Sequence, residues 1–190
     1  MEHLGTVMLT TDRLILRQFT SQDAEAMFHN WASDPEVTRY LTWQPHNDVT
    51  ETAAILSQWI AQYQNDNYYA WAITLKDNPD IPIGSIAAVS GNDDIASVEI
   101  GYCLGQTWWH QGIMSESLAA VITFFFEQVG VNRVAAYHDP HNPHSGMVMQ
   151  KCGMTYEGTL RSADKNNQGI CDMCCYSILK TDYKELNTIR

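Results

Sequence analysis

The groups in this chain with chemistry of their own gather in a few short runs. The first is Ser97-Val98-Glu99-Ile100-Gly101-Tyr102-Cys103-Leu104, followed closely by Trp108-Trp109-His110-Gln111-Gly112-Ile113-Met114-Ser115-Glu116-Ser117-Leu118. An apolar-rich strand enters a loop centred on Gly112, and helical spacing begins at once, with Leu118, Val121, Ile122 and Phe125 at i, i+3, i+4 and i+7. Such a junction gathers the backbone N–H groups of Gln111, Gly112, Ile113, Met114 and Ser115 around a concavity. The helix dipole adds partial positive charge there, which suits a phosphate or pyrophosphate. Gly112 lets the backbone approach a ligand with no Cβ in the way. Glu99 sits mid-strand among apolar residues, where burial raises a carboxylate's pKa and makes it a better base. A second run, His138-Asp139-Pro140-His141-Asn142-Pro143-His144, spaces three imidazoles by three and invites a zinc reading. Two prolines break the regular element that would align them, so the expectation is surface loop histidines and no metal.

The elements that must position these groups are legible from periodicity. Leu14 and Leu16 alternate with charged neighbours and predict a first strand. Ser21 caps a predicted helix in which Ala24, Met27, Phe28 and Trp31 hold helical spacing, and Asp34-Pro35 ends it. Asp48 followed by Glu51 resembles a capping box, and the helix after it carries Leu56, Trp59, Ile60 and Tyr63 on one face. Strands are predicted at Tyr69–Leu75, Ile83–Val89 and Ile95–Leu104, an antiparallel meander with turns at Asp77–Asp80 and Gly91–Asp94. The helix after Gly112 runs to about Gln128 and stops at Gly130. Arg133–Tyr137 then returns as a buried strand, parallel to the one before the helix. Asn142-Pro143 opens a last helix, with Asn142 as its cap, and Gly153 closes it. Two strands near Met154–Leu160 and Cys171–Leu179 flank a turn-rich stretch from Asp164 to Gly169.

Composition sets the class. At 190 residues the expectation is one domain over 1–190, and 45% apolar residues are ordinary for a globular core. No apolar run approaches a membrane span, and the N-terminus lacks a basic-then-apolar leader, so a cytoplasmic location is expected. Eleven basic against 22 acidic residues give a net charge of −11. That balance repels nucleic acid and favours cationic substrates such as amines or basic peptides, besides its general effect on solubility. The five cysteines show neither a disulfide framework nor a second pair of zinc ligands, and are expected as reduced, mostly buried thiols. A dinucleotide-dependent oxidoreductase is disfavoured, because no Gly-x-Gly-x-x-Gly follows an early strand.

In succession these runs resemble the GNAT superfamily of N-acetyltransferases, in its ribosomal-protein N-acetyltransferase (RimJ/RimL-type) branch. The resemblance rests on Glu99-Ile100-Gly101-Tyr102, the Trp-x-x-Gly loop and Ser-Glu-Ser-Leu. It extends to Thr11-Asp12-Arg13-Leu14-Ile15-Leu16-Arg17, Asp34-Pro35-Glu36-Val37-Thr38-Arg39-Tyr40-Leu41, Asn142-x-x-Ser145, Lys151-x-Gly153 and Glu157-Gly158. It runs from about Thr11 to about Tyr183. It implies an α+β fold with a central mixed, mostly antiparallel sheet of about seven strands flanked by about four helices. It also implies acetyl-CoA as the acyl donor, with CoA as product and no metal, and direct transfer to a primary amine.

Under this resemblance the amides of Gln111 through Ser115 hold the pyrophosphate, a backbone N–H among Ile100, Gly101 and Tyr102 polarises the thioester carbonyl, and Asn142 bonds the pantetheine arm. Ser145 matches the family's proton donor, and Asp164 matches an acidic residue credited with catalysis. Glu99 and Asp164 both remain open as the base. The tyrosine that many superfamily members use as general acid falls at Met149, and Met114 replaces the loop's usual small residue. By position, Trp31, Tyr40 and Trp43 are expected to line the acceptor site. The expected acceptor is a cationic peptide or protein N-terminus, met by a monomer or homodimer. A small-molecule amine (polyamine, aminoglycoside, amino acid) and a catalytically weak acyl-CoA-binding sensor stay open as alternatives.

Overall fold

The structure, a computed structural model, describes residues 1–188. Its first half holds β1 (Leu9–Thr10), β2 (Leu14–Arg17), α1 (Ala24–Met27), α2 (Pro35–Thr38) and α3 (Val49–Gln62). A meander follows, β3 (Ala70–Leu75), β4 (Asn78–Asn92) and β5 (Ser97–Leu104). Then come α4 (Ile113–Phe124), β6 (Arg133–His138), α5 (Pro143–Lys151), the hairpin β7 (Thr155–Asn166) and β8 (Gly169–Leu179), and α6 (Lys180–Thr188). The strands form one sheet in the order β1-β2-β3-β4-β5-β6-β8-β7, antiparallel except at β5–β6. The mixed, mostly antiparallel architecture is the expected one. Its eight strands exceed the seven expected by the two-residue β1. Its six helices exceed four because α1 and α2 are single turns and α6 follows β8 without a break.

Apolar periodicity decides the layers. On one face of the sheet Trp71, Ile73, Ile86, Val98 and Ile100 pack with Leu118, Val121, Phe124 and Phe125 of α4 and its continuation. On the other, Ala72 meets Phe19, Met27, Trp31 and Leu56 from the α1–α3 side. β3 lies between the two layers, and Ala70 to Thr74 are all buried. Asp48 caps α3 as expected, accepting from Glu51 N at 2.9 Å. The helix predicted from Ser21 is instead a 3₁₀ turn (Ser21–Asp23), α1 and a wide π-turn (Phe28–Ala32). Asp23 is buried there and pairs with both terminal nitrogens of Arg17 at 2.8 Å.

Two departures from regular pairing shape the site. In β4, Ala88 pairs with Ile100 but Ser90 pairs with Glu99, so Val89 is a bulge. Gly101 accommodates it, because a methyl there would approach Val89 Cγ1 to 2.9 Å. Between β5 and β6 the parallel pairing comprises Ser97–Arg133, Val98–Val134 and Glu99–Ala135. Beyond Glu99, β5 continues on β4 to Leu104, and β6 continues on β8 to His138. The two strands therefore part, and a gap opens within the sheet.

Three local expectations are corrected. His138 is the buried end of β6, 9% exposed, rather than a surface loop histidine. Asp164 lies within β7, paired with Cys171, rather than in the turn. Both strands of the hairpin run on past a bulge between Leu160 and Asp164, and Asn167–Gln168 make the turn. The five cysteines are free and half-buried rather than mostly buried.

Candidate active site

The gap between β5 and β6 widens into a cleft of about 290 Å³. Tyr102, Cys103 and Leu104 line it from β5, Gly112 to Ser115 from the loop, and Asn142, Ser145 and Val148 from α5 and its entry. Val37, Tyr40 and Leu41 line it from α2 and the segment after it. Because β5 pairs only with β4 past Glu99, every second residue from Ile100 to Leu104 turns its N–H and C=O away from β4, into the gap.

The loop is held open by backbone conformation and by an ion pair behind it. Gly112 is left-handed, with φ +76° and ψ 3°, and heads α4 with no side-chain cap. The first N–H groups of the helix therefore keep their donor capacity. A methyl at Gly112 would meet only Arg13 Nη2 within 4 Å, at 3.6 Å, so this face of the loop is clear. Arg13 Nη1 donates to Gln111 O at 3.0 Å and Arg13 Nε to Glu116 Oε2 at 2.7 Å. Burial works to raise the Glu116 pKa, but the bonds from Thr11 and Arg13 outweigh it and hold the carboxyl below its ordinary value. The Gln111 side chain turns back to Thr107 O. Met114 is buried in the core beneath the loop, so its bulk is absorbed inward.

On the α5 side, Asn142 does not cap the helix with its side chain, contrary to expectation. Its N–H donates to Asp139 O at 2.8 Å, and the residue lines the cleft. Ser145 stands in the first turn, with Tyr102 Oη 3.0 Å from both its Oγ and its backbone oxygen. Met149, one turn later, is buried and apolar.

The two candidate carboxylates are not brought into the cleft lining. Glu99 lies on the last β5–β6 rung, where its carboxylate accepts from Ser90 Oγ at 2.9 Å. Asp164 is exposed on β7 and accepts from Lys165 N at 2.7 Å. Of the three aromatics expected at the acceptor side, Tyr40 lines the cleft. Trp31 does not: it is fully buried in the second core, because its helical face turns onto Leu56 and Ala72. Trp43 packs against that same core, its ring tilted against His46 with centroids 5.3 Å apart, outside the cleft lining.

Sequence reasoning missed several groups. Lys151, His110 and His144 line the cleft, and Arg13, paired with Glu116, stands behind its loop, so a basic side chain faces the cleft on a chain of net charge −11. Lys151 was visible in the Lys-x-Gly run, but a single lysine gives no sign of where it points. Asp139 is a buried carboxylate that accepts from His141 N and Nδ1 at 2.8 Å and from Asn166 Nδ2 at 2.7 Å. Burial tends to raise its pKa, yet these donors hold it below its ordinary value. The neighbouring Asn167 donates to Thr38 O and Trp43 O, which ties the β7–β8 turn to the segment carrying Tyr40. Among the described residues no group of three His, Cys, Asp or Glu is arranged to hold a metal ion.

Residues 13–155 match the Acetyltransferase (GNAT) domain family. The chain belongs to this family. It is 34% identical over 173 residues to the uncharacterized N-acetyltransferase YoaA of Bacillus subtilis (strain 168), covering 91% of this chain and 97% of that protein. It is 29% identical over 159 residues to the ribosomal protein uS5-alanine N-acetyltransferase of Escherichia coli (strain K12), covering 80% of each. Its fold matches that of RimL, a ribosomal L7/L12 alpha-N-protein acetyltransferase solved in complex with coenzyme A, with a TM-score of 0.81 at 21% identity over 91% of this chain and 98% of that one. This GNAT protein is an N-acetyltransferase.

Proposed function

We propose that the protein acetylates the α-amine of a protein or peptide N-terminus, and that the acceptor is cationic. The observation that carries this reading is the parted β5–β6 pair, bounded by an uncapped loop at one end and Ser145 at the other. The residues present fit the donor. Clear space over Gly112 and the free N–H groups of Gly112 to Ser115 suit a pyrophosphate, with Lys151 adding positive charge. Bound acetyl-CoA supplies the acetyl group as a thioester. The backbone N–H groups of Ile100 to Tyr102 that face the gap stabilise negative charge on the carbonyl oxygen, and Asn142 holds the pantetheine arm. As the amine nitrogen bonds the acetyl carbon and the carbon–sulfur bond breaks, Ser145 donates its hydroxyl proton toward the departing sulfur and recovers one from the nitrogen. Asp164 and Glu99 are the competing candidates for the ammonium's proton, and since both stand outside the cleft lining the proton would reach either through water. Support for a protein substrate comes from the uS5-alanine acetyltransferase relative, and support for a cationic one from the net charge of −11. The reading makes this a cytoplasmic enzyme, monomer or homodimer, with neither nucleic acid nor membrane as partner.

The test is mass spectrometry of an amine panel incubated with acetyl-CoA: basic and neutral peptides, polyamines, aminoglycosides and amino acids. Basic N-terminal peptides are expected to lead. Asp164→Asn and Ser145→Ala are expected to lower kcat by about 10²-fold or more, with acetyl-CoA affinity nearly intact. A loss confined to Glu99→Gln moves the base to the strand. Absence of any acetylated peptide overturns the peptide α-amine as acceptor.

A further inference from the structure

Tyr102 reaches across the parted strands. It belongs to β5, yet its hydroxyl rests on Ser145 of α5, 3.0 Å from Oγ and 3.0 Å from the backbone oxygen. Burial raises its pKa, and the Ser145 bond only partly opposes this, so the hydroxyl stays neutral and keeps its proton. One proton thus has two oxygens to serve. The backbone oxygen of Ser145 lies inside α5, where the helix offers it the N–H of Met149 four residues on. Ser145 Oγ has no such alternative.

Two arrangements follow. In one, Tyr102 donates to the backbone oxygen and Ser145 O–H donates to Tyr102, which turns the serine proton away from the cleft. In the other, Tyr102 donates to Ser145 Oγ, and the serine proton is released toward the cleft that both residues line. Negative charge arriving opposite Ser145 selects the second arrangement, because each hydrogen bond in such a series strengthens the next.

We propose that Tyr102 is a positioning residue for Ser145: its hydroxyl, coming from the strand, aims the serine proton at the leaving sulfur. The next turn of α5 offers only the buried, apolar Met149 for that task. The inference rests on the proton-donor role given to Ser145 above. Tyr102 does not itself give up a proton. It orients one, and the carbon–sulfur electron pair is met by the Ser145 hydroxyl.

The experiment uses the full chain with CoA bound and no acceptor amine. The thiol of bound CoA is titrated by its thiolate absorbance in the ultraviolet, in wild type, Tyr102→Phe, Ser145→Ala and the double variant. A serine proton aimed at sulfur favours the thiolate. Each single change is expected to raise the bound thiol's pKa by about one unit, the scale of one hydrogen bond, and the double change no further than Ser145→Ala. In turnover, Tyr102→Phe is expected to lower kcat on the order of tenfold with KM for acetyl-CoA unchanged. If Ser145→Ala moves the titration and Tyr102→Phe does not, the tyrosine inference is overturned while the serine assignment stands. If neither moves it, both fall. If Tyr102→Phe loses CoA affinity together with kcat, or its effect adds in full to that of Ser145→Ala, Tyr102 is a structural pin between β5 and α5 and the inference is likewise overturned.

Discussion

Replacing Gly112 separates the cost of the loop's backbone from its work as an anion cradle. The residue is left-handed at φ +76°, so alanine there carries a steric cost of about 1–2 kcal/mol. Nothing else opposes the methyl, whose nearest neighbour would be Arg13 Nη2 at ordinary contact distance, 3.6 Å. In a domain of this size each kcal/mol moves Tm by about 2–4 °C, so Gly112→Ala is expected to melt about 2–8 °C low. Gly112→Glu bears the same backbone cost, but its carboxylate gains from the α4 N-terminus and from Arg13, so it folds at least as well. Acetyl-CoA at a hundred times its Kd stabilises the folded state by about 2.7 kcal/mol, a rise in Tm of about 5–11 °C. In a thermal-shift assay the alanine variant is expected to keep most of that rise. The glutamate variant is expected to lose it, its side chain occupying the anion's place with the same charge. A full rise in Gly112→Glu would refute the assignment of the loop to the pyrophosphate.

Other expectations follow from the same geometry. A methyl at Gly146 would lie 2.6 Å from His138 Nε2, whose ring is buried and bonded through Nδ1 to Asp139 O, so Gly146→Ala should lower stability by about 1–3 kcal/mol in a denaturant melt. The hydrogen bonds from Arg133 and Ser177 hold Glu157 at a pKa of about 2, down from an ordinary 4.5. Its folded pKa is depressed, so its contribution is present above 4.5 and lost as pH falls toward 2; Glu157→Gln should flatten acid unfolding in that window, and coincident curves would show that the pair adds nothing. Burial pushes the thiols of Cys103 and Cys152 up to about 11 and about 12, so both should alkylate far more slowly at pH 8 than an unhindered cysteine, read by peptide mapping. For the acceptor, kcat/KM should fall and kcat hold as salt rises to physiological strength; a flat salt profile with neutral amines preferred would confine the charge of −11 to solubility.

Strong local signals carried most of the fold. The alternation in β2, the apolar face of α4 and the Asp48 cap each needed only neighbouring residues to be read. Elements set by distant partners did not show. The helix after Ser21 breaks into a π-turn where Trp31 and Ala32 settle into the second core, and β7 outlasts the turn signals in its sequence because β8 supplies its rungs. The site divides the same way. Gly112 and Asn142 were legible from residue type at an element boundary, although Asn142 turned out to face the cleft instead of capping. The parting of β5 from β6, the Tyr102–Ser145 contact and the buried Asp139 depend on how separate segments meet, and no local pattern encodes that. Trp31 shows the reverse error, in which a large aromatic near a site in sequence was packing all along.

Three rungs between Ser97–Glu99 and Arg133–Ala135 are the strand pairing that joins β1–β5 to the β6-β8-β7 block, beside the core they share under α4. A sheet so nearly divided need not open all at once. Amides of β6, β7 and β8 should exchange with solvent as one cooperative unit and those of β2 to β4 as another, with separate opening free energies measurable in native-state hydrogen exchange. A molecule seated between the loop of α4 and the first turn of α5 touches both units. Its binding would fasten them, and the protection factors of the two blocks should converge when the cleft is filled.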